Sequence, residues 1–595
     1  MMELDRWPNL VTMFFDQAEN KGSAPFLWAK RDGMWQSTSW REASDQVDKL
    51  SRALRAYGLT NGDRVVLVAD NSPEWAIADF AIMAAEGVTV PAYVTNTPSD
   101  HKHILTDSGA TMAIVSTEKL ARPLLDAAMD TPSLARIISI EALNQNPVEH
   151  VKTTLWREAL NHGSSQPGNS VSKASSIHQD SLACLIYTSG TGGTPKGVML
   201  SHRAILCNCV GAYHLLLGLG LDDEVFLSFL PLSHSYEHSC GLMFPVAIGA
   251  QIYYAEGIDK LPSNLTEVRP TLMTSVPRLY EVMRLKILDG IQRAGGLKEK
   301  LFRLALYLGR KSYARGGTLP TIERPVDKLV DWLVRDKVRA RFGGRLKAMV
   351  SGGAPLNFDV GIFFSALGLR LLQGYGQTEA APVISCNPSS KIKLDTVGPP
   401  LTHVEVQLAD DGEILVRGPL LMDGYWRQPE ITSDTVRDGW LHTGDIGEID
   451  ADGYIRITDR KKDIIVLSGG DNISPQRVEG ILCLEPAIGQ AIVFGDKRRH
   501  LVGLLVPSDD FLKEWSQGDE TEQNLEEVQK NSGIRNAISE AVNRANKNLS
   551  VIEQVRRFAL AEAPFTVDNE MLTPTMKNRR HKILDHYQEQ IDKLY

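Results

Sequence analysis

Cysteine is scarce in this chain. Six stand at 184, 207, 209, 240, 386 and 483 of 595 residues, and no two form a C-x-x-C pair. That excludes a disulfide scaffold, offers no zinc-binding spacing and points to a reducing compartment. Long apolar runs are missing as well. The longest, around Leu242 to Tyr254, is too short for a membrane span and is broken by Pro245 and Gly249. Met1 to Leu10 carries Glu3 and Asp5 and lacks the apolar stretch of a signal peptide. The expectation is a cytoplasmic protein that, where it meets a membrane, lies peripherally on the inner face. There is also no excess of positive charge: 64 Lys and Arg stand against 73 Asp and Glu, a net −9. A uniformly basic nucleic-acid binder is thereby excluded, and no nucleic-acid partner is expected. No solenoid-period repeat is visible.

What is present is ample core material. Hydrophobic residues make up 43% of the chain, which excludes dominant disorder, and the length suits several domains or subdomains. Early on, helical and strand patterns alternate. Trp40 to Tyr57 has helical spacing and stops at Gly58; Arg64 to Val68 reads as a buried strand; Glu74 to Ala85 as a helix ending at Gly87; Val88 to Pro91 as the next strand. Such alternation predicts an α/β fold with layered, largely parallel sheets. Residues 161–180, with six serines and three apolar residues, read as a surface loop. Residues 281–350 hold seventeen Lys and Arg against seven Asp and Glu. Val326, Leu329, Val330, Leu333, Val334, Val338 and Phe342 recur there at helical spacing, with Lys328, Arg335, Lys337 and Arg339 between them. The bland reading is the solvated face of a packed helix; the sharper one is a patch for anionic lipid or a phosphorylated ligand.

The most informative segment follows a buried strand at Leu182 to Tyr187. It runs Thr188-Ser189-Gly190-Thr191-Gly192-Gly193-Thr194-Pro195-Lys196-Gly197, with a helix beginning near Ser201. Glycines let backbone N–H groups converge on an anion, hydroxyls add donors, and the lysine adds charge, so the segment reads as a polyphosphate cradle. It is not a Walker loop, because Pro195 precedes Lys196 and Gly197 follows it, and it lacks the third glycine of a dinucleotide fingerprint.

The loop resembles the signature Tyr-Thr-Ser-Gly-Thr-Thr-Gly-x-Pro-Lys-Gly of the adenylate-forming (AMP-binding) superfamily, with Gly192 where the family usually has Thr or Ser. Further segments resemble that family in order: Leu230 to Tyr236, Ala348 to Leu356, Gln373 to Glu379, Asp438 to Asp445, Asp459 to Gly470 and Leu572 to Arg580. The helical insertion between Tyr280 and Ser351, with Trp440 to Gly447 and Asp459 to Asp463, resembles the long-chain fatty acyl-CoA synthetase branch.

The resemblance implies an α/β fold with a large, multi-subdomain adenylation domain over 1–461 and a smaller, mobile α+β lid over 462–595, hinged at Lys462. It implies a nucleotide site of Thr188, Ser189, Gly190, Thr191, Gly192, Gly193, Thr194 and Lys196, with Gly352, Gly353, Ala354, Gln373, Gly374, Tyr375, Gly376, Thr378, Asp445, Arg460 and Lys577. Tyr375 would offer an aromatic face to adenine and Asp445 would accept the ribose hydroxyls. Mg²⁺ would be held by Thr188 and Glu379. His234 and Tyr236 would face the acyl pocket, and the Gly469-Gly470 turn would line the path of the CoA thiol. Lys577, His234, Thr188 and Lys196 would carry the chemistry.

The implied reaction has two steps. A fatty carboxylate attacks the α-phosphorus of ATP, giving acyl-AMP and pyrophosphate; the lid then turns about Lys462, and CoA takes the acyl group. The first step needs no general base, because the carboxylate is already ionised at neutral pH. Fatty acid, ATP and CoA are the implied partners, and peripheral membrane contact through 281–350 and a homodimer are compatible with the reading. One alternative is transfer to a carrier protein instead of CoA. Another is a zinc hydrolase, because His234-Ser-Tyr-Glu237-His238 spells H-x-x-E-H. A third is a silent binding protein of the same fold.

Overall fold

In the computed structural model, the structure describes residues 2–144, 148–188, 194–461, 463–515, 531–567, 569–573 and 578–595. The early expectations hold closely. Trp40–Ala56 is a helix because Ser39 and Glu42 form a reciprocal capping box and Val47, Leu50 and Leu54 fall on its buried face. Arg64–Val68 and Val88–Pro91 are parallel strands. Between them Pro73–Ala84 buries every residue but Glu74, as a helix apolar all round must.

Two eight-stranded sheets and a five-stranded sheet form the bulk of the chain. In the first sheet, Val88–Pro91, Arg64–Val68, Met112–Val115, Arg136–Ser139 and Lys152–Leu155 run parallel. Leu182–Thr188 joins them in parallel, and Lys196–Ser201 and Gly424–Tyr425 close that edge antiparallel. In the second, Leu371–Gly376, Ala348–Ser351, Leu272–Ser275, Val225–Ser228, Gln251–Tyr254 and Pro25–Arg31 run parallel. The third is antiparallel and contains Glu413–Arg417, Trp440–Ile449 and Ile455–Arg460. Beyond it, the C-terminal region builds its own three-stranded sheet from Ile488–Phe494, Leu501–Pro507 and Val555–Leu560. Helices Pro475–Leu482 and Ser532–Asn546 share an apolar cluster with it, and Arg580–Asp592 shares another.

Two expectations change. The serine-rich stretch is not a plain loop: Ser170–Ala174 is a short helix capped by Asn169. Ser170 is buried against Ser51, and Asn9 donates to the carbonyls of Ala174 and Ile177 at 2.8 and 2.9 Å. The stretch is therefore tied into the fold through the Ser170 hydroxyl and the Asn9 side chain. The basic region is helical over Pro277–Ala294, Gly296–Ala314 and Arg324–Arg341, but a π-helical turn at Asp331–Arg335 interrupts the last. Just before that turn Val330 is buried while Val326 and Leu329 face solvent, so the apolar stripe is not one buried face.

Candidate functional site

A cavity of about 2010 Å³ opens where the parallel strands of both large sheets end, the usual place for ligands in open α/β sheets. Its walls join polar groups to apolar Leu216, Phe226, Phe244 and Leu272. Thr188, Thr194 and Lys196 line it, and Thr188 stands opposite Lys196 in an antiparallel pair. The two strands that flank the loop pair antiparallel, and the six-residue strand Lys196–Ser201 separates it from the expected helix. That helix does begin at His202, with Ser201 accepting from the Ala204 N–H. Ser189, Gly190, Thr191, Gly192 and Gly193 lie outside the described residues.

Lys196 Nζ sits 5.0 Å from the centre of the Tyr425 ring, and the Tyr425 hydroxyl donates to Glu379 Oε1 at 2.8 Å. Glu379 follows Thr378, whose hydroxyl meets that of Ser235 at 2.8 Å. The two expected metal ligands, Thr188 and Glu379, both line the cavity. Both offer hard oxygen, the donor chemistry that suits Mg²⁺, and Glu379 Oε2 takes no hydrogen bond among the described residues.

Tyr375 stands one residue before the end of the strand Leu371–Gly376, and its hydroxyl donates to Asp445 Oδ2 at 2.6 Å. Burial, then the Asp445 charge, raises the Tyr375 hydroxyl well above the usual phenol range. Arg460 Nε donates to Asp445 Oδ1 at 3.0 Å, and the two residues face each other across an antiparallel strand pair. Gly376 is required by close approach, since a Cβ there would lie 1.9 Å from the Pro382 carbonyl oxygen. Gln373 and Gln377 also line the cavity; Gln373 Oε1 and Gln377 Nε2 are buried without a partner among the described residues. Polar atoms left so are unusual in a native fold and suit a polar ligand.

Gly352, Gly353 and Ala354 follow the strand Ala348–Ser351 into the same wall. At Gly352 the constraint is internal, because a Cβ would stand 2.9 Å from the Tyr236 ring. Tyr236 cannot retreat easily: it is buried, and its hydroxyl donates to the Val350 carbonyl at 2.8 Å. His234 caps the helical turn Ser235–Glu237, its Nδ1 accepting from the Tyr236 N–H at 3.1 Å.

The zinc-hydrolase reading fails on these partners. His238 Nε2 meets Asp79 Oδ2 at 2.9 Å in the core. Glu237 is held elsewhere, accepting from Ser228 at 2.6 Å and Thr274 at 2.5 Å. The backbone supplies the helical turn the motif needs, but the three side chains diverge to separate partners.

From the C-terminal region, Thr573, Asn578, Arg579, Arg580 and His581 reach the cavity wall. Lys577 and Lys462 lie outside the described residues. Gly469 and Gly470 form the turn of a small hairpin, with the Gly470 N–H bonded to Leu467 O, and they are not among the lining residues. Arg580 pairs with half-buried Glu479 at 2.6 Å. Asp459, on the adjoining strand, is raised to about 6 by burial.

Sequence reasoning missed Tyr425, Ser235, Gln377 and Glu413. The Glu413 carboxylate accepts from the Gly444 N–H at 2.8 Å and from Lys461 at 3.1 Å, bracing the turn that aims Asp445. Gly424-Tyr425-Trp426, a glycine followed by two aromatics after a strand-poor stretch, was the one available signal for Tyr425.

Comparison with known proteins places this geometry among relatives. Residues 14–426 match the family described as AMP-binding enzyme, and residues 462–595 match the AMP-binding enzyme C-terminal domain. The chain is 32% identical to the long-chain-fatty-acid–CoA ligase FadD15 of Mycobacterium bovis, across 99% of this chain and 97% of that relative. It is 32% identical to the peroxisomal long chain acyl-CoA synthetase 6 of Arabidopsis thaliana, across 95% and 82%. Among solved structures, the adenylation domain of a carboxylate reductase from Mycobacterium chelonae aligns with a TM-score of 0.78 at 21% identity, covering 99% of this chain and 91% of that one. No helix among the described residues is long and apolar enough to cross a membrane.

Proposed function

From the premise that the chain belongs to the AMP-binding enzyme family, we propose that it is an ATP-dependent long-chain fatty acid–CoA ligase. It activates a fatty acid to acyl-AMP with release of pyrophosphate, then passes the acyl group to CoA with release of AMP. The observation that carries this reading is that one cavity joins the strand pair flanking the phosphate-type loop, the Tyr375–Asp445–Arg460 cluster and an apolar wall. Full-length similarity to ligases named for long-chain fatty acids supports the substrate class.

In this reading the loop 188–196 holds the phosphates and Tyr375 stacks on adenine beside the backbone at Gly352–Ala354. Asp445 and Arg460 take the ribose, and Thr378 donates to the α-phosphate. Mg²⁺, held by Glu379 and Thr188, supplies neutralisation of phosphate charge when bound. His234 and Tyr236 border the acyl group. Lys577 stabilises charge at the α-phosphate in the first step. The division at 461/462 makes 1–461 the adenylating part and 462–595 the lid, with Lys462 as pivot; turning brings Gly469-Gly470 to the thiol path. Peripheral contact of the 281–350 region with the inner face of a membrane, and pairing into a homodimer, belong to the same reading.

The test is purified chain with ATP, Mg²⁺, CoA and fatty acids of graded length, followed by mass detection of acyl-CoA. Acyl-CoA formation with long acids and not aromatic acids is the expected result. Pyrophosphate release without acyl-CoA would favour a carrier-protein acceptor, and absence of fatty-acid-dependent pyrophosphate release would reject the reading.

A further inference from the structure

The helical block 296–341 leaves large apolar side chains in solvent. Ile322 is 86% exposed, Trp332 67%, Leu329 52% and Val326 43%. Ile322 lies in the turn before the helix Arg324–Val330, Val326 and Leu329 lie on that helix, and Trp332 lies in the π-helical turn after it. The inward side of the same helix is satisfied separately, since Val330 packs on Ala305, Leu308 and Leu319. The exposed row is therefore not a core stripe waiting for its own domain. Scattered exposed apolar residues need no explanation, but four from Ile322 to Trp332 do.

Charge within the 296–341 segment is unbalanced in a specific way. Every acidic residue from 296 to 341 is ion-paired: Glu299 with Arg303, Glu323 with Lys311, Asp327 with Arg335, and Asp331 and Asp336 with Arg339. Arg335 is buried, donating to the Ala366 and Ala305 carbonyls. Arg335 and Arg339 are thus structural, which removes them from the patch that the sequence suggested. Lys298, Lys300, Lys328, Lys337 and Arg341 are exposed and are in no ion pair among the described residues. Lys328 lies between Val326 and Leu329, and Lys337 five residues past Trp332.

We propose that this face docks the protein on an anionic lipid leaflet, with Ile322, Val326, Leu329 and Trp332 entering the acyl boundary and Lys298, Lys300, Lys328, Lys337 and Arg341 meeting phosphate headgroups. Apolar insertion flanked by unpaired cations is the chemistry of an interfacial helix. Each basic group near an anionic surface adds attraction that a zwitterionic one does not supply. The inference names the surface and partner within the membrane contact of the acyl-activating reading, and its physical basis does not depend on which acid is activated.

The experiment is flotation of the full chain with vesicles of phosphatidylcholine alone and of phosphatidylcholine mixed with phosphatidylglycerol. Binding to the mixed vesicles is expected to exceed binding to the neutral ones by about tenfold or more and to fall with added salt. Lys298, Lys300, Lys328 and Lys337→Gln together, and Leu329→Ser with Trp332→Ser, should each lower it by about tenfold. Lipids brominated on the acyl chain should quench tryptophan emission in the wild type, and Trp332→Phe should remove that quenching. Melting temperatures of the variants verify folding, and acyl-CoA formation from a soluble short-chain acid is read alongside. Loss of flotation with that activity retained supports the proposal. Equal binding to both vesicles, or unchanged flotation in both variants, overturns it. Conversion of a dimer to a monomer in the Leu329/Trp332 variant, with no vesicle binding by the wild type, assigns the face to a second copy instead and also overturns it. Failure of ligase activity with flotation intact would reject the functional reading alone.

Discussion

The Tyr375 hydroxyl and Arg460 Nε converge on the two oxygens of one carboxylate, Asp445, at 2.6 and 3.0 Å. Each oxygen keeps a further lone pair for a ligand hydroxyl. Asp445→Asn removes the charge and turns one acceptor into a donor facing a donor. Hydrogen bonds to charged groups contribute about 1.5–3 kcal/mol. The variant is therefore expected to raise the KM for ATP in fatty-acid-dependent pyrophosphate exchange by about 10- to 100-fold. Tyr375→Phe keeps the ring and the carboxylate and should change it by no more than about threefold. Equal effects of the two substitutions would remove Asp445 from the ribose site.

Gly352 and Tyr236 constrain each other. A methyl group at 352 would stand 2.9 Å from a ring that is buried and tied to the Val350 carbonyl. Overpacking of this kind costs about 1–3 kcal/mol. Gly352→Ala should lower the melting temperature and impair activity with long acids. In a Tyr236→Ala background the same substitution should cost nothing, because the obstructing ring is gone. A cycle that sums additively would show that the glycine answers to something other than Tyr236.

Glu237 is buried with two hydroxyl partners, and burial raises its carboxyl to about 7 from 4.5. The group stays neutral in the folded chain up to about pH 7, while in the unfolded chain it ionises above about 4.5. Its contribution is therefore intact below pH 4.5, declines as pH rises through that window, and is lost above 7. Glu237→Gln keeps the shape without the titration. It should melt with the wild type near pH 4.5 and above it near pH 8, by on the order of 3 kcal/mol at most. Thermal melts across that range check this, and parallel pH curves would contradict it.

Most of the site was legible because its residues come in short runs whose types state their chemistry. The hydroxyl and glycine run at 188–197, the glycine-flanked Tyr375 and the Thr443-Gly444-Asp445 turn each read locally. Partners across the chain did not. Tyr425 reaches Glu379 over 46 positions and Glu413 reaches Gly444 over 31, and neither end carries a local pattern naming the other. The H-x-x-E-H run shows the converse. Its spacing suggested one site, yet Asp79, 159 positions away, claims His238. In the fold, helices and parallel strands followed periodicity. The π-helical turn at Asp331–Arg335 was invisible to it, because one inserted residue re-phases a stripe without changing its composition.

Lys577 offers the sharpest separation of the two half-reactions. Its neighbours Asn578, Arg579 and Arg580 reach the cavity wall, whereas Gly469 and Gly470 are not among the lining residues. In the proposed reading, this is the side of the lid that faces the nucleotide in the adenylating step. A lysine serving only that step stabilises charge at the α-phosphate and leaves when the lid turns. Lys577→Ala is therefore expected to reduce acyl-AMP formation by about 10²-fold or more, the usual effect of removing one preorganised charge-stabilising group. Acyl transfer from supplied acyl-AMP to CoA should change by less than about threefold if, as proposed, Lys577 serves the first step alone. Quenched-flow measurement of each half-reaction decides the matter. Equal loss in both would mean that the substitution disturbs the lid as a whole, and the role given to Lys577 would have to be withdrawn.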